Sequence, residues 1–124
     1  MDKALWNRLQ TVADAEAKRL MRELPADIRR QVEDVPILFE RVPSRALVED
    51  GLDADLLGLF VGDAYPEPGC DPIPPEILLF LVNIMDEAGG DEDEYRRQVR
   101  ITLLHEIGHY LGLDEAGLIE RDLE

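Results

Sequence analysis

The sequence contains a single cysteine, Cys70, and two histidines. One cysteine cannot form a disulfide within the chain, so we expect a reducing, cytoplasmic setting. The longest apolar run, residues 77–82, is far too short to cross a bilayer. The N-terminal segment is charged and lacks the apolar centre of a signal peptide. We therefore expect a cytoplasmic protein that has no membrane partner.

Basic residues are missing from the middle of the chain. Residues 46–95 contain no lysine or arginine but fourteen of the 28 acidic residues, and the formal net charge of the chain is −15. Nucleic-acid binding requires lysine and arginine to displace counterions from phosphates, so we expect no nucleic-acid partner. Without a ligand, the same stretch predicts a solvated acidic face.

The length of 124 residues and the hydrophobic content of 45% predict one globular domain spanning 1–124. Apolar spacing and turn residues predict an α+β fold, in which a small three- or four-stranded sheet packs against helices. The predicted helices cover 2–24, a short segment after Pro25, 44–50, a segment ending at 88, 91–111 and 114–123. The predicted strands cover 35–42, 56–62 and 77–81.

Three local patterns make sharper predictions. Leu5 belongs to the apolar stripe of the first helix, which predicts that it faces the core. Asp91 followed by Glu94 has the form of a capping box at the start of the longest C-terminal helix. The glycines of the 56–62 strand indicate bends or a close approach to another element.

The segment HEIGHYLGLDE, from His105 to Glu115, contains both histidines. His105 and His109 are one helical turn apart, so their imidazoles project from the same face and can reach one zinc ion. Glu106 is rotated around the helix, where it can take a proton from a zinc-activated water. A shuffled chain of this composition would contain HExxH only about once in six hundred tries. The alternative is that the histidines are ordinary surface or core residues without a metal.

A catalytic zinc takes three protein ligands and keeps a fourth position open. The chain has no third histidine, so the remaining ligand must be a carboxylate or Cys70. Cys70 lies in a proline-rich loop, from which a thiolate could also hold the enzyme inactive; its role stays open. Two imidazoles and a carboxylate suit Fe²⁺ as well, and only the presence of Glu106 favours zinc.

The segment His105–Glu115 resembles the metzincin pattern HExxHxxGxxH, with Glu115 at the last position. The whole chain is similar to the small bacterial zincin-like metallopeptidases, and LLGL at 56–59 is a second landmark. The resemblance implies a zincin-like fold with the HExxH helix near the C-terminus. It also implies Zn²⁺ held by His105, His109 and Glu115, with Glu106 as catalytic base. Asp114 is the alternative third ligand, although it is better placed to cap the last helix.

Zincin mechanics add expectations about the cleft. An edge strand above the cleft pairs with the substrate backbone, and Leu56–Val61 is the candidate strand. Three aspartates flank it, which favours basic peptide or protein substrates: Asp53, Asp55 and Asp63. Tyr65 and Tyr110 are candidate hydrogen-bond donors to the oxyanion, although packing is the commoner role of a tyrosine.

The sequence therefore predicts a zinc metallopeptidase that hydrolyses peptide bonds. One alternative is a catalytically weak or inactive zincin scaffold that binds a protein partner. A second is a metal-dependent RNA hydrolase, since His105, His109, Gly112 and Asp114 also resemble the HxxxHxxGxD pattern of rRNA-maturation endoribonucleases. That pattern has no counterpart of Glu106, and the missing basic residues oppose it. The physiological substrate and the oligomeric state are left open.

Overall fold

The computed structural model describes residues 2–62 and 74–112, which form five helices and three strands. The predicted α+β fold with a small sheet is confirmed. The predicted helix at 114–123 and most of the proline-rich loop lie outside the described residues. No helix in the described part is long and apolar enough to span a membrane. The elements are α1 (Lys3–Glu23), α2 (Ala26–Val32), β1 (Ile37–Glu40), α3 (Arg45–Glu49), β2 (Gly58–Val61), β3 (Glu76–Phe80), α4 (Leu81–Glu87) and α5 (Glu92–Tyr110).

The sheet is mixed and has the strand order β1-β3-β2. The central strand β3 pairs in parallel with β1 and antiparallel with β2. Among the described strands, β1 and β2 lie at the edges of this sheet, and Pro36 directly before β1 is compatible with an edge position. The antiparallel register places Gly58 opposite Leu79 and Phe60 opposite Ile77. This register determines which groups of β2 face the site described below.

The core lies between one face of the sheet and the helices α1, α4 and α5. Tyr95, near the start of α5, is fully buried, and its hydroxyl donates a 2.8 Å hydrogen bond to the carbonyl of Leu9 in α1. Farther along α5, Val99, Leu103 and Ile107 are also buried. These contacts fix α5 against α1 and the sheet, so the second half of α5 has a defined position over β2.

The first helix is capped at both ends. The Asp2 side chain accepts a 2.8 Å bond from the Leu5 N–H, and Arg29 in α2 donates to three carbonyls at the end of α1, those of residues 21, 22 and 24. The prediction that Leu5 faces the core is wrong, since it is 42% exposed. Arg8 contacts Glu92, the first residue of α5. Leu5 precedes Arg8 by about one turn, so it lies beyond the start of α5.

The start of α5 confirms only half of the predicted capping box. Asp91 is the N-cap, and its side chain accepts from the Asp93 N–H at 3.2 Å. Glu94 does not reach back to Asp91; its carboxylate instead accepts from the Arg97 and Gln98 side chains. A nearby arginine and amide therefore outcompete the backbone N–H for the Glu94 carboxylate.

Candidate metal centre

The HExxH residues occupy the last turns of α5, which ends at Tyr110. The three side chains differ in their exposure to solvent. Glu106 is buried, with a relative exposure of 7%, His105 is half-buried, and the His109 side chain is 65% exposed. Gly112 follows the helix with a φ of 72°, which favours glycine and turns the chain away from the helix axis. The motif thus lies between the packed interior and the surface.

The Glu106 carboxylate is buried and incompletely hydrogen-bonded within the described residues. Its Oε2 atom is shielded from solvent and lies 3.4 Å from Nδ1 of His109, without hydrogen-bond geometry. Among the described residues this oxygen has no hydrogen-bond partner. The backbone N–H of Phe60 in β2 also donates to the carboxylate. Buried carboxylate oxygens are normally satisfied, so an unsatisfied one suggests a functional role.

The register of the sheet explains why a strand N–H points at Glu106. The Phe80 N–H donates to the Leu57 carbonyl at 2.9 Å, so these two residues form a hydrogen-bonded pair. Alternation along an antiparallel ladder then turns the backbone groups of Gly58 and Phe60 away from β3, toward the edge of β2 that no described strand covers. The Glu106 carboxylate accepts from one of these donors, the Phe60 N–H.

The close approach of α5 to β2 depends on Gly58. A Cβ atom built at Gly58 would lie 2.7 Å from Cγ2 of Thr102 and 3.3 Å from Cγ of Glu106. It would also lie 3.3 Å from the Leu78 carbonyl oxygen. Distances below 3.0 Å are essentially never seen for real Cβ contacts. The prediction that a glycine of this strand marks a close approach is confirmed at Gly58.

Burial raises the pKa of the Glu106 carboxyl above its ordinary value. Three groups oppose this shift without cancelling it: His109, the Phe60 N–H and His105. Burial raises the pKa because desolvation disfavours the charged carboxylate. A carboxyl with a raised pKa is a better proton acceptor, which is what a general base near neutral pH requires.

Residues 32–124 match the sequence model of zincin-like metallopeptidases. The chain belongs to the zincin-like metallopeptidase family. No curated protein matches the chain. The predicted family and the predicted zincin-like fold are thereby confirmed, and membership makes zinc the expected cofactor and peptide hydrolysis the expected class of activity.

The described residues of this zincin-like chain include two side chains that could hold a zinc ion. His105 and His109 offer two imidazoles one turn apart on α5, a donor set that zinc accepts. Within residues 2–62 and 74–112, no three histidine, cysteine, aspartate or glutamate side chains converge on one point. The predicted third ligand Glu115 and its alternative Asp114 lie outside the described residues. Cys70 and Tyr65 lie outside them as well.

Tyr110 directly follows His109 and packs against the edge strand. Its ring centroid lies 5.6 Å from that of Phe60, with the two ring planes tilted by 54°. Such a tilted pair is a favourable aromatic contact, so Tyr110 has a packing role in this structure. Phe60 therefore contacts the end of α5 twice, through its backbone N–H and through its ring.

Sequence reasoning identified the HExxH residues but missed two neighbours, Phe60 and Thr102. Thr102 lies one turn before Glu106 and is buried against Gly58. The signal for Thr102 was a small residue at position i−4 from Glu106, on the same face of the helix. The Phe60 N–H carried no sequence signal, because every residue except proline has a backbone N–H.

The raised pKa of Glu106 predicts a pH-dependent effect of Glu106→Gln on the metal-free protein. The folded chain holds the Glu106 proton more tightly than the unfolded chain, so stability is lost as pH rises from the ordinary carboxyl pKa through the raised one. A neutral glutamine avoids this loss. We expect metal-free Glu106→Gln to melt at a higher temperature than wild type at pH 8, and the difference to shrink toward pH 4.

The measurement is thermal unfolding followed by circular dichroism in chelator, from pH 4 to pH 8. Glu87→Gln, which makes the same change at an exposed glutamate of α4, is the matched control and should show no such trend. A pH-independent difference between Glu106→Gln and wild type would contradict the prediction.

Proposed function

We propose that this zincin-like chain is a zinc-dependent peptidase in which Glu106 is the general base and His105, His109 and Glu115 hold the metal. The observation that carries the proposal is the buried Glu106 carboxylate, whose Oε2 has no hydrogen-bond partner among the described residues. An unsatisfied buried carboxylate is costly in a purely structural role. The same oxygen is well prepared to accept a proton from water.

The protein side of the mechanism follows from the positions on α5. When bound, zinc supplies Lewis acidity that lowers the pKa of a coordinated water to about 7 and polarises the substrate carbonyl. Glu106 is rotated by about 100° from His105 around the helix, so it lies beside the metal position. Glu106 accepts a proton from water as the water oxygen attacks the carbonyl carbon. It then donates that proton to the amine nitrogen as the carbon–nitrogen bond breaks.

The surroundings of Glu106 support these two proton transfers. The Phe60 N–H contacts the carboxylate and restricts its orientation. His109 turns Nδ1 toward Glu106, so Nε2 of His109 is the nitrogen left for a metal. The proposed third ligand is Glu115, three residues after Gly112, by resemblance to the metzincin pattern, and Asp114 is the alternative.

The edge strand β2 supports an extended peptide as substrate. The backbone groups of Gly58 and Phe60 that do not pair with β3 face an edge that no described strand covers. Apart from the Phe60 N–H, which donates to Glu106, these groups could pair with a peptide added as a further strand. Asp53 and Asp55 are exposed just before this strand. These carboxylates give the edge a negative charge and favour substrates with lysine or arginine.

The scaffold alternative shares the fold and the metal but not the proton transfer. A zincin that uses zinc only for stability would need the two histidines and would tolerate the loss of Glu106. The RNA-hydrolase alternative has no support from a basic surface, since residues 46–95 contain no lysine or arginine. The family match supports a metallopeptidase over an RNA hydrolase, whereas the loss of Glu106 separates the peptidase from the scaffold alternative.

Metal content is the first prediction of the proposed function. Protein purified without chelator should carry about one zinc per chain, because two imidazoles and a carboxylate complete a catalytic site. His105→Ala and His109→Ala should each reduce the zinc content to well below one per chain. Elemental mass spectrometry on protein of verified fold measures this, and wild-type protein without metal after zinc reconstitution would contradict the proposal.

The third ligand is tested in the same experiment. Glu115→Ala should weaken zinc binding, whereas Asp114→Ala should retain it. The reverse result would assign the ligand to Asp114. Retention by both variants would exclude either carboxylate as an essential ligand.

Catalysis is tested by Glu106→Gln. Loss of the general base should lower kcat for a peptide substrate by about 10²–10⁴-fold, because the amide cannot accept the proton. The zinc content should stay at the wild-type level, since Glu106 is not a ligand. The measurement is cleavage of a quenched fluorescent peptide library, with Glu87→Gln as the control of unchanged activity. Equal activity of Glu106→Gln and wild type would support the scaffold alternative.

The charge of the substrate is tested with matched peptides. A peptide with lysine near the scissile bond should be cleaved faster than one with glutamate at that position. The advantage should shrink as salt rises from about 0.01 M to about 1 M, because the Debye length falls from about 30 Å to about 3 Å. Asp53→Asn combined with Asp55→Asn should reduce it at low salt. Rates that do not depend on peptide charge at low salt would contradict the acidic edge as a determinant.

A further inference from the structure

The contact between β2 and α5 holds a feature that the HExxH motif does not explain. Gly58 is buried although its φ is not in the left-handed region that usually calls for glycine. A glycine is needed here because Thr102 and Glu106 fill the space that a side chain would occupy. The glycine therefore permits α5 to pack closely on β2, and it is not required by the backbone conformation of the strand.

The neighbours of Gly58 are specific to the site. Thr102 lies one turn before Glu106 on α5, and its Cγ2 atom would be 2.7 Å from a Cβ at position 58. The Glu106 Cγ atom would be 3.3 Å from the same point. Two residues along β2, the Phe60 N–H donates to the Glu106 carboxylate. Any side chain at position 58 therefore separates the strand from the helix at the level of the general base.

We propose that Gly58 is a positioning residue that, together with Thr102, sets the distance between β2 and α5 and so holds the Glu106 carboxylate on the Phe60 N–H. This inference rests on the proposed function for its effect on catalysis. Its structural half does not depend on that function. Gly58 itself has no side chain and acts only through the spacing of its neighbours.

The proposal separates metal binding from catalysis. His105 and His109 are both on α5, so a shift of β2 leaves their spacing unchanged. A larger residue at position 58 should therefore leave the zinc content intact while displacing Phe60 from Glu106. Misplacement of a catalytic group by about 1 Å can cost about a hundredfold in rate. We expect Gly58→Ala to lower kcat by about 10- to 100-fold with KM and zinc content close to wild type.

The decisive test is a pair of compensating variants. Thr102→Ser removes the methyl group that an alanine at position 58 would meet and keeps the hydroxyl. Combined with Gly58→Ala, it should restore most of kcat; recovery is incomplete because the 3.3 Å contacts with Glu106 and Leu78 remain. Thr102→Ala is the second compensating variant, since it removes the methyl whichever rotamer a serine adopts. Thr11→Ser makes the same change at an exposed site of α1 and should give no rescue.

A readout independent of activity is hydrogen exchange of the Phe60 amide, followed by NMR on the full chain at fixed pH. This amide does not pair with β3, and among the described residues its partner is Glu106, so we expect its protection to depend on that bond. We expect slow exchange in wild type, fast exchange in Gly58→Ala and recovery in Gly58→Ala with Thr102→Ser. Circular dichroism and melting curves establish that each variant is folded.

The outcomes separate this inference from the proposed function. Wild-type exchange at Phe60 in folded Gly58→Ala would overturn the inference, and so would failure of both Thr102 variants to restore protection. If Gly58→Ala does not fold alone, folding of the double variants with a protected Phe60 amide supports the inference, and an unprotected amide overturns it. A wild-type protein without peptidase activity would remove the proposed function, while the exchange data would still decide the role of Gly58.

Discussion

The site depends on one packing constraint, the contact of α5 with the edge strand β2 across a residue that has no side chain. Gly58 allows Thr102 and Glu106 to approach the strand, and this approach buries the Glu106 carboxylate. Burial then raises the pKa of that carboxyl. Close packing, carboxylate burial and the capacity to accept a proton are thus consequences of the same contact, and none of them follows from the HExxH letters alone.

The ion pairs between helices contribute little to holding α5 in position. Within the described residues, two ion pairs join separate helices: Arg8–Glu92 and Arg100–Glu23. Their side chains are all at least one third exposed. Such surface pairs contribute about 0–1 kcal/mol each. The buried Tyr95 and the apolar residues after it hold α5 instead. The geometry of a site built this way should be insensitive to salt, whereas the proposed attraction for charged substrates should depend on salt.

The sequence predicted the parts of the fold that local patterns control. Asp91 caps α5 as expected, and His105 and His109 lie one turn apart on that helix. It failed where tertiary contacts decide: Leu5 follows the apolar stripe but extends beyond α5. The role of the Phe60 N–H could not be predicted from the sequence for a different reason. The sheet register selects this donor, and every residue except proline has a backbone N–H. The HExxH residues and the helix that carries them could therefore be predicted from the sequence, whereas the burial of Glu106 required the structure.

The end of α5 is also an electrostatically suitable place for a cation. The carbonyls of the last turn carry the negative end of the helix dipole, which stabilises positive charge within about one turn. Both histidines lie in the last two turns, and Glu106 adds a buried negative charge when ionised. A divalent cation held by the imidazoles would in turn favour the ionised form of Glu106 and offset the effect of burial on its pKa. The raised pKa of Glu106 in the metal-free chain is therefore compatible with the proposed role of Glu106 as a base, because a bound cation would be the partner that a buried carboxylate needs to hold its charge.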